Sequence, residues 1–163
     1  MDTKHAEQNA KNSLSSIVAM VKRLEHSQEC AGDDHCDVTD ADVLVGLGEY
    51  AKDGRKATAE EVERYHDEDA ARLIIEEDAL SVEVRVPWYA PGGGEVPKPE
   101  EYMILLTTGG PALRVRGDLN KYGEPDTARL EYQDWGTPWI EYPLSREDEN
   151  ALIAYASVFY YGE

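Results

Sequence analysis

The sequence predicts a single α+β domain over residues 1–163, with N-terminal helices, a four-stranded antiparallel sheet and a C-terminal helix packed on that sheet. Apolar residues recur at helical spacing up to about residue 78, alternate with polar residues from about 80 to 133, and return to helical spacing after residue 145. Elements in this order are typical of an α+β layer fold. With 163 residues, 41% of them apolar, the chain can form one core without disulfides or a metal.

The first helix is predicted over residues 6–28. Its apolar stripe consists of Leu14, Ile17, Val18, Val21 and Leu24, and its opposite face carries Lys22, Arg23 and Glu25. Residues 1–30 hold four acidic and four basic side chains, so this helix is neutral. Residues 1–30 are therefore a candidate for a separate packing element or for the seam of a homodimer.

Two capping boxes predict two further helices. Thr39 with Asp42 opens a helix that ends near residue 53, and Thr58 with Glu61 opens a third helix that ends near residue 78. The expected buried stripes are Val43, Leu44, Leu47 and Ala51 in the second helix, and Val62, Tyr65, Ala70, Leu73 and Ile74 in the third. Gly46 and Gly48 superficially match a dinucleotide fingerprint, but no strand precedes them, so they are expected to allow close helix packing.

Four strands are predicted from alternating residues. They cover residues 80–86, 102–107, 113–119 and 128–133, and a loop rich in Gly and Pro, 91–99, separates the first two. The short connections between the later strands favour an antiparallel meander. Ser145 with Asp148 then caps a last helix that ends near residue 162, and because this helix is apolar nearly all round we expect it to pack on two sides.

The charge is strongly negative and unevenly placed. The formal net charge is −18, so nonspecific attraction to nucleic acid is excluded. The surplus lies after residue 30, and the third helix is its densest part. We predict a partner-binding acidic surface formed by Glu60, Glu61, Glu63, Asp67, Glu68, Asp69, Glu76 and Glu77. Such a surface can compete for a groove that normally holds nucleic acid, although acidic helices also serve solubility alone.

Four arginines form an alternative anion-binding site. Arg85, Arg114, Arg116 and Arg129 all fall on the polar phase of the predicted strands, so their guanidinium groups share one face. Glu83 and Glu131 have the same phase. Cross-strand ion pairs would therefore explain these arginines without a ligand.

A metal site is considered and not predicted. His26, Cys30, His35 and Cys36 offer four soft ligand atoms within eleven residues. Their spacing matches no common zinc pattern, and adjacent His35 and Cys36 cannot easily both occupy tetrahedral positions. In a reducing compartment the two cysteines are expected to stay thiols.

Catalysis has no positive support in the sequence. The chain lacks a phosphate-binding loop, a nucleophile elbow and a zinc-protease motif, so we predict no catalytic residue, no cofactor and no enzymatic activity. No run of eighteen apolar residues occurs, and the first residues lack a secretory apolar core. The expected location is the cytoplasm.

Three segments carry a resemblance. Residues 79–85, 108–112 and 128–139, the last containing Trp-Gly-Thr-Pro-Trp, resemble small acidic proteins encoded by phages and mobile elements, of the anti-CRISPR or antirestriction type. The resemblance implies an inhibitor that binds a basic nucleic-acid-handling complex of a bacterial host, such as a CRISPR effector, by charge mimicry and without touching nucleic acid itself. The alternative is a small domain, enzymatic or ligand-binding, that uses the arginine face for an anion.

Overall fold

The computed structural model describes residues 3–30, 36–48 and 54–162. These residues form the helices α1 (Lys4–Glu29), α2 (Asp40–Gly46), α3 (Ala59–Tyr65), α4 (Glu68–Asp78) and α5 (Arg146–Ala156), and the strands β1 (Ser81–Arg85), β2 (Glu101–Thr107), β3 (Ala112–Asp118), β4 (Arg129–Gln133) and β5 (Ile140–Tyr142). The strands pair in chain order, each antiparallel to the next. The predicted α+β class and the antiparallel meander are confirmed.

The sheet has five strands, so the prediction of four was wrong by one. β5 pairs with β4 through Leu130 opposite Tyr142 and Tyr132 opposite Ile140. This strand is only three residues long, which is too short for an alternating pattern to be recognised in the sequence. It extends the meander on the side away from β1.

The predicted third helix is two helices. Thr58 and Glu61 form the expected capping box at the start of α3, but the helix ends at Tyr65. Asp67 then caps α4, its side chain accepting a hydrogen bond of 3.0 Å from the backbone N–H of Ala70. A second cap inside an apolar pattern therefore marks a break between two helices.

This break changes which residues of α4 are buried. Leu73 and Ile74, predicted to be buried, are 51% and 38% exposed, whereas Ala71 and Ile75 are buried. The prediction treated α3 and α4 as one helix, so it extended the helical spacing of α3 through residues 66 and 67. Because α4 starts anew after those residues, its buried face is rotated relative to that of α3.

Helix α2 is shorter than predicted. It opens with the expected capping box of Thr39 and Asp42, and it ends at Gly46. Val43 and Leu44 are buried as predicted, whereas Ala51 lies outside the described residues.

One hydrophobic core joins α1 to the sheet, α4 and α5. The buried apolar side chains of α1 face β3, β4, α4 and α5, so α1 is part of this core. They are Ala6, Ala10, Leu14, Ile17, Met20, Val21 and Leu24. Helix α5 packs on α1 and on the same face of the sheet, burying Leu152, Tyr155 and Ala156. Within residues 3–30, 36–48 and 54–162, no helix is both long enough and apolar enough to cross a membrane.

A single hydrogen bond fixes the end of α4 to α5. The hydroxyl of Tyr155 donates to Asp78, the last residue of α4, over 2.7 Å. Tyr155→Phe removes this bond without changing the packed ring, and we expect it to lower the free energy of unfolding by about 1 kcal/mol. Urea denaturation measures this loss. The control is Tyr160→Phe at a 77% exposed position, and an equal effect of both variants would contradict the prediction.

Candidate functional site

Two histidines and two cysteines converge where α1 meets the junction of α3 and α4. His26 and Cys30 stand four residues apart at the end of α1, so they share one helix face. Cys36 approaches from the segment before α2, and His66 is the C-cap of α3. We call this group the His–Cys cluster. Its four ligand atoms, one from each side chain, all lie within 4.8 Å of one another.

The atoms of the His–Cys cluster are in close contact. The Nε2 atoms of His26 and His66 lie 3.0 Å apart, and the Sγ of Cys36 lies 3.3 Å from each of them. Both cysteines of the chain belong to this cluster, and both are free thiols. Three separate segments thus direct nitrogen and sulfur atoms at one point.

The ring of His66 is held in one orientation. Its Nδ1 lies 2.7 Å from the carbonyl oxygen of Val62, one turn earlier in α3. Because a carbonyl oxygen only accepts hydrogen bonds, Nδ1 carries a proton, and in the neutral ring the lone pair is then on Nε2, which faces the cluster. Desolvation and, second, the proximity of His66 lower the pKa of His26, which favours its neutral form.

Arg23 supports the His–Cys cluster by holding the end of α3. The sequence placed Arg23 on the polar face of α1 with Lys22 and Glu25, but its side chain is 1% exposed. Its Nη2 donates to the carbonyl oxygen of Arg64 over 2.6 Å, and its Nε donates to that of Tyr65 over 3.3 Å. A cation at the carbonyl end of a helix is electrostatically favourable. Arg23 therefore fixes the end of α3 at the residues that precede His66.

Close packing of α2 completes this region. A Cβ atom built on Gly46 would lie 2.3 Å from Cε2 of Tyr65, which is a clash. Gly46 therefore lets α2 approach the buried Tyr65 ring, as the expected packing role of this glycine requires.

The structure changes the set of candidate metal ligands. Three of the residues considered from sequence, His26, Cys30 and Cys36, come together, whereas His35 lies outside the described residues. His66 takes the fourth place, although 30 residues separate it from Cys36 in the chain. The available signal was Asp67, which can cap a new helix and so places His66 at a helix boundary.

Comparison with known proteins identifies no family for this chain. The chain matches no protein-family model, no curated protein and no solved structure. Its function is therefore argued from its own side chains.

The predicted acidic surface lies on α3 and α4. We call Glu60, Glu61, Glu63, Asp67, Glu68, Asp69, Glu76 and Glu77 the acidic helix face. All of them are exposed except the partly buried Glu61. On α4, the exposed Leu73 stands four residues after Asp69 and three and four residues before Glu76 and Glu77, so these side chains are neighbours on the helix surface.

Three members of the acidic helix face have structural partners. Arg55 pairs with Glu61 over 2.9 Å, and this bond, followed by that from the Thr58 backbone, lowers the pKa of Glu61 to about 2. Arg72 pairs with Glu68 over 3.2 Å, and Asp67 caps α4. The other five, Glu60, Glu63, Asp69, Glu76 and Glu77, form no ion pair with the described part of the chain.

The arginines of the sheet share a face, and acidic neighbours accompany most of them. Arg114 pairs with Glu131 over 2.8 Å and lies 3.9 Å from the centre of the Trp139 ring. Arg116 reaches Glu131 and Glu101 at 3.8 and 3.7 Å. Arg85 contacts Glu100 and Glu101, while Arg129 forms no ion pair in the described residues. This charge balance leaves few guanidinium groups free for an anion.

The long connection between β1 and β2 exposes apolar rings. Trp88 is fully exposed and Tyr89 is half exposed, and both line an open cavity of about 730 Å³ together with Val86 and Pro87. Its charged lining residues, Arg85 and Glu100, pair with each other over 3.2 Å, so the cavity identifies no ligand class.

Proposed function

We propose that this protein is a non-enzymatic binding protein whose acidic helix face docks on a basic surface of a nucleic-acid-handling complex and blocks access of the nucleic acid. The proposal rests on one observation, the exposed Leu73 among Asp69, Glu76 and Glu77. An exposed apolar side chain with charged neighbours can form the buried centre of an interface whose rim is polar.

Charge supports the same proposal. Five carboxylates of the acidic helix face have no ion-pair partner among the described residues, and the net charge is −18. Such a surface attracts basic grooves at long range and repels nucleic acid. A bacterial CRISPR effector is the partner class that the sequence resemblance implies, and an origin in a phage or mobile element belongs to that same proposal.

Charge reversal at α4 tests the docking surface. The variant Asp69→Lys, Glu76→Lys, Glu77→Lys spares the residues that cap or pair, so the fold is expected to persist. The matched control reverses Glu83, Glu95 and Glu141, which are exposed outside α3 and α4, and changes the net charge equally. We expect the α4 variant to lose at least about 100-fold in affinity for the partner, because opposite charges become like charges.

The measurement is inhibition of target-DNA binding by purified CRISPR effector complexes, followed at two salt concentrations. The wild-type protein and the control variant are expected to inhibit, more weakly at high salt. Equal inhibition by the α4 variant would refute the acidic helix face as the docking surface. Absence of inhibition across effector types, together with absence of salt-dependent binding to them, would refute the partner class.

A further inference from the structure

We propose that the His–Cys cluster is a structural zinc site in which His26 and His66 bind through Nε2 and Cys30 and Cys36 bind through Sγ. The inference is independent of the proposed partner, because it concerns only how this chain holds its own segments together. Two nitrogens and two sulfurs form the ligand set of many closed, four-coordinate zinc sites.

Three of the four ligand atoms lie close to the spacing that a tetrahedral zinc ion requires, and the fourth, the Sγ of Cys30, lies within 4.8 Å of them. Zinc–nitrogen bonds of about 2.05 Å and zinc–sulfur bonds of about 2.3 Å separate two nitrogens by about 3.3 Å and a nitrogen from a sulfur by about 3.6 Å. In the cluster the nitrogens are 3.0 Å apart, and each lies 3.3 Å from the Cys36 sulfur. A small outward movement of these three side chains and an inward rotation of the Cys30 side chain would admit the ion.

A second observation points to a metal ligand at His66. Its Nδ1 donates to the carbonyl oxygen of Val62 over 2.7 Å, which aims the lone pair of Nε2 at the other three ligands. Metal-binding histidines are usually oriented by such a bond from their second nitrogen. The bond also caps the last turn of α3, and the orientation it gives the ring is the one that metal binding needs.

The ligand chemistry favours zinc over harder cations. Thiolate and imidazole ligands suit Zn²⁺, whereas Mg²⁺ and Ca²⁺ require oxygen ligands. Four protein ligands fill the tetrahedron and leave no open position for a substrate, so the site is structural and not catalytic. Zinc would join the end of α1, the segment at Cys36 and the end of α3, and the acidic helix face lies on α3 and on α4, which follows it.

Metal content and spectroscopy test the site on the full chain, purified under reducing conditions. We expect one zinc per chain by elemental analysis. Cobalt added to the metal-free protein should give the visible absorption of a tetrahedral ion with a sulfur-to-cobalt charge-transfer band, both removed by added zinc. Zinc at about 1,000 times its Kd should raise the Tm by about 10 °C.

Ligand variants separate this site from adventitious binding. Cys36→Ser should weaken the charge-transfer band, and His66→Asn should lower zinc affinity at least about 100-fold. The control is His5→Asn, because His5 is exposed on α1 and about 30 Å from His26 along the helix. His5→Asn should bind zinc like the wild type.

Three results would overturn the proposal. They are a reduced wild-type chain without stoichiometric zinc and without the cobalt charge-transfer band, a cobalt spectrum unchanged by Cys36→Ser, and a Cys30–Cys36 disulfide that forms while the reduced chain binds no zinc. The first and third use the wild-type protein, so they stand even if a ligand variant fails to fold.

Discussion

Gly117→Val is expected to lower the free energy of unfolding by about 3 kcal/mol or more. A Cβ atom at this position of β3 would lie 1.9 Å from the carbonyl oxygen of Thr127 and 2.7 Å from the hydroxyl of Tyr102. These two atoms are themselves joined by a hydrogen bond of 2.7 Å, and the Tyr102 ring is buried. The variant must therefore move backbone or break a buried hydrogen bond, and it also overpacks the core.

Guanidinium chloride denaturation measures this effect. Gly93→Ala serves as the control, because Gly93 is exposed in the loop between β1 and β2, where a small shift of the loop relieves the nearest contact of the added methyl group, 3.2 Å from the carbonyl oxygen of Ala90. We expect the control to stay within about 0.5 kcal/mol of the wild type. A stable Gly117→Val variant with an unchanged denaturation midpoint would show that the connection before β4 does not pack on β3 at this point.

Arg23→Met is expected to destabilise the protein by about 3 kcal/mol and to weaken zinc binding about 10- to 100-fold. Methionine keeps much of the side-chain volume but donates nothing, so the carbonyl oxygen of Tyr65 loses its bond from Arg23, and that of Arg64 keeps only backbone donors such as the N–H of Asp67 at 3.3 Å. The end of α3 loses its fixed position, and His66 follows directly. A loss of zinc affinity of this size is typical when a residue that orients a metal ligand, here His66, is replaced.

The neighbouring Lys22 provides the matched control. Lys22→Ala removes an exposed ion pair with Asp42, which is expected to cost less than about 1 kcal/mol and to leave zinc binding unchanged. Thermal unfolding with and without zinc separates the two effects. If Arg23→Met behaves like Lys22→Ala in both measurements, Arg23 neither supports α3 nor positions His66.

The local parts of this fold were predictable from the sequence. The three capping boxes at Thr39, Thr58 and Ser145 are present, because capping depends on residues only three positions apart. Helix α1 and the strands β2 to β4 follow from periodicity for the same reason.

Features that depend on distant segments were not predictable. Arg23 lies on a stretch that reads as polar, and only the carbonyl end of α3, about 40 residues later, explains its burial. His66 likewise joins His26 across 40 residues. The buried residues of α4 were predicted wrongly because the cap at Asp67 was not recognised, and a helix that begins anew does not keep the phase of the helix before it. The contacts of Arg23 and His66 join residues about 40 positions apart, and no local sequence pattern predicts them.

Because α1 is the first element of the chain, it can be packed into the core only after the later elements have been synthesised. Its apolar stripe, which includes Leu14 and Ile17, is covered by β4 and α5, and these leave the ribosome more than about 100 residues after α1. Until then the apolar face of the newly synthesised helix is exposed to solvent, where chaperones can bind it or two chains can associate through it. Translation speed between α1 and α5 should therefore influence the yield of folded protein.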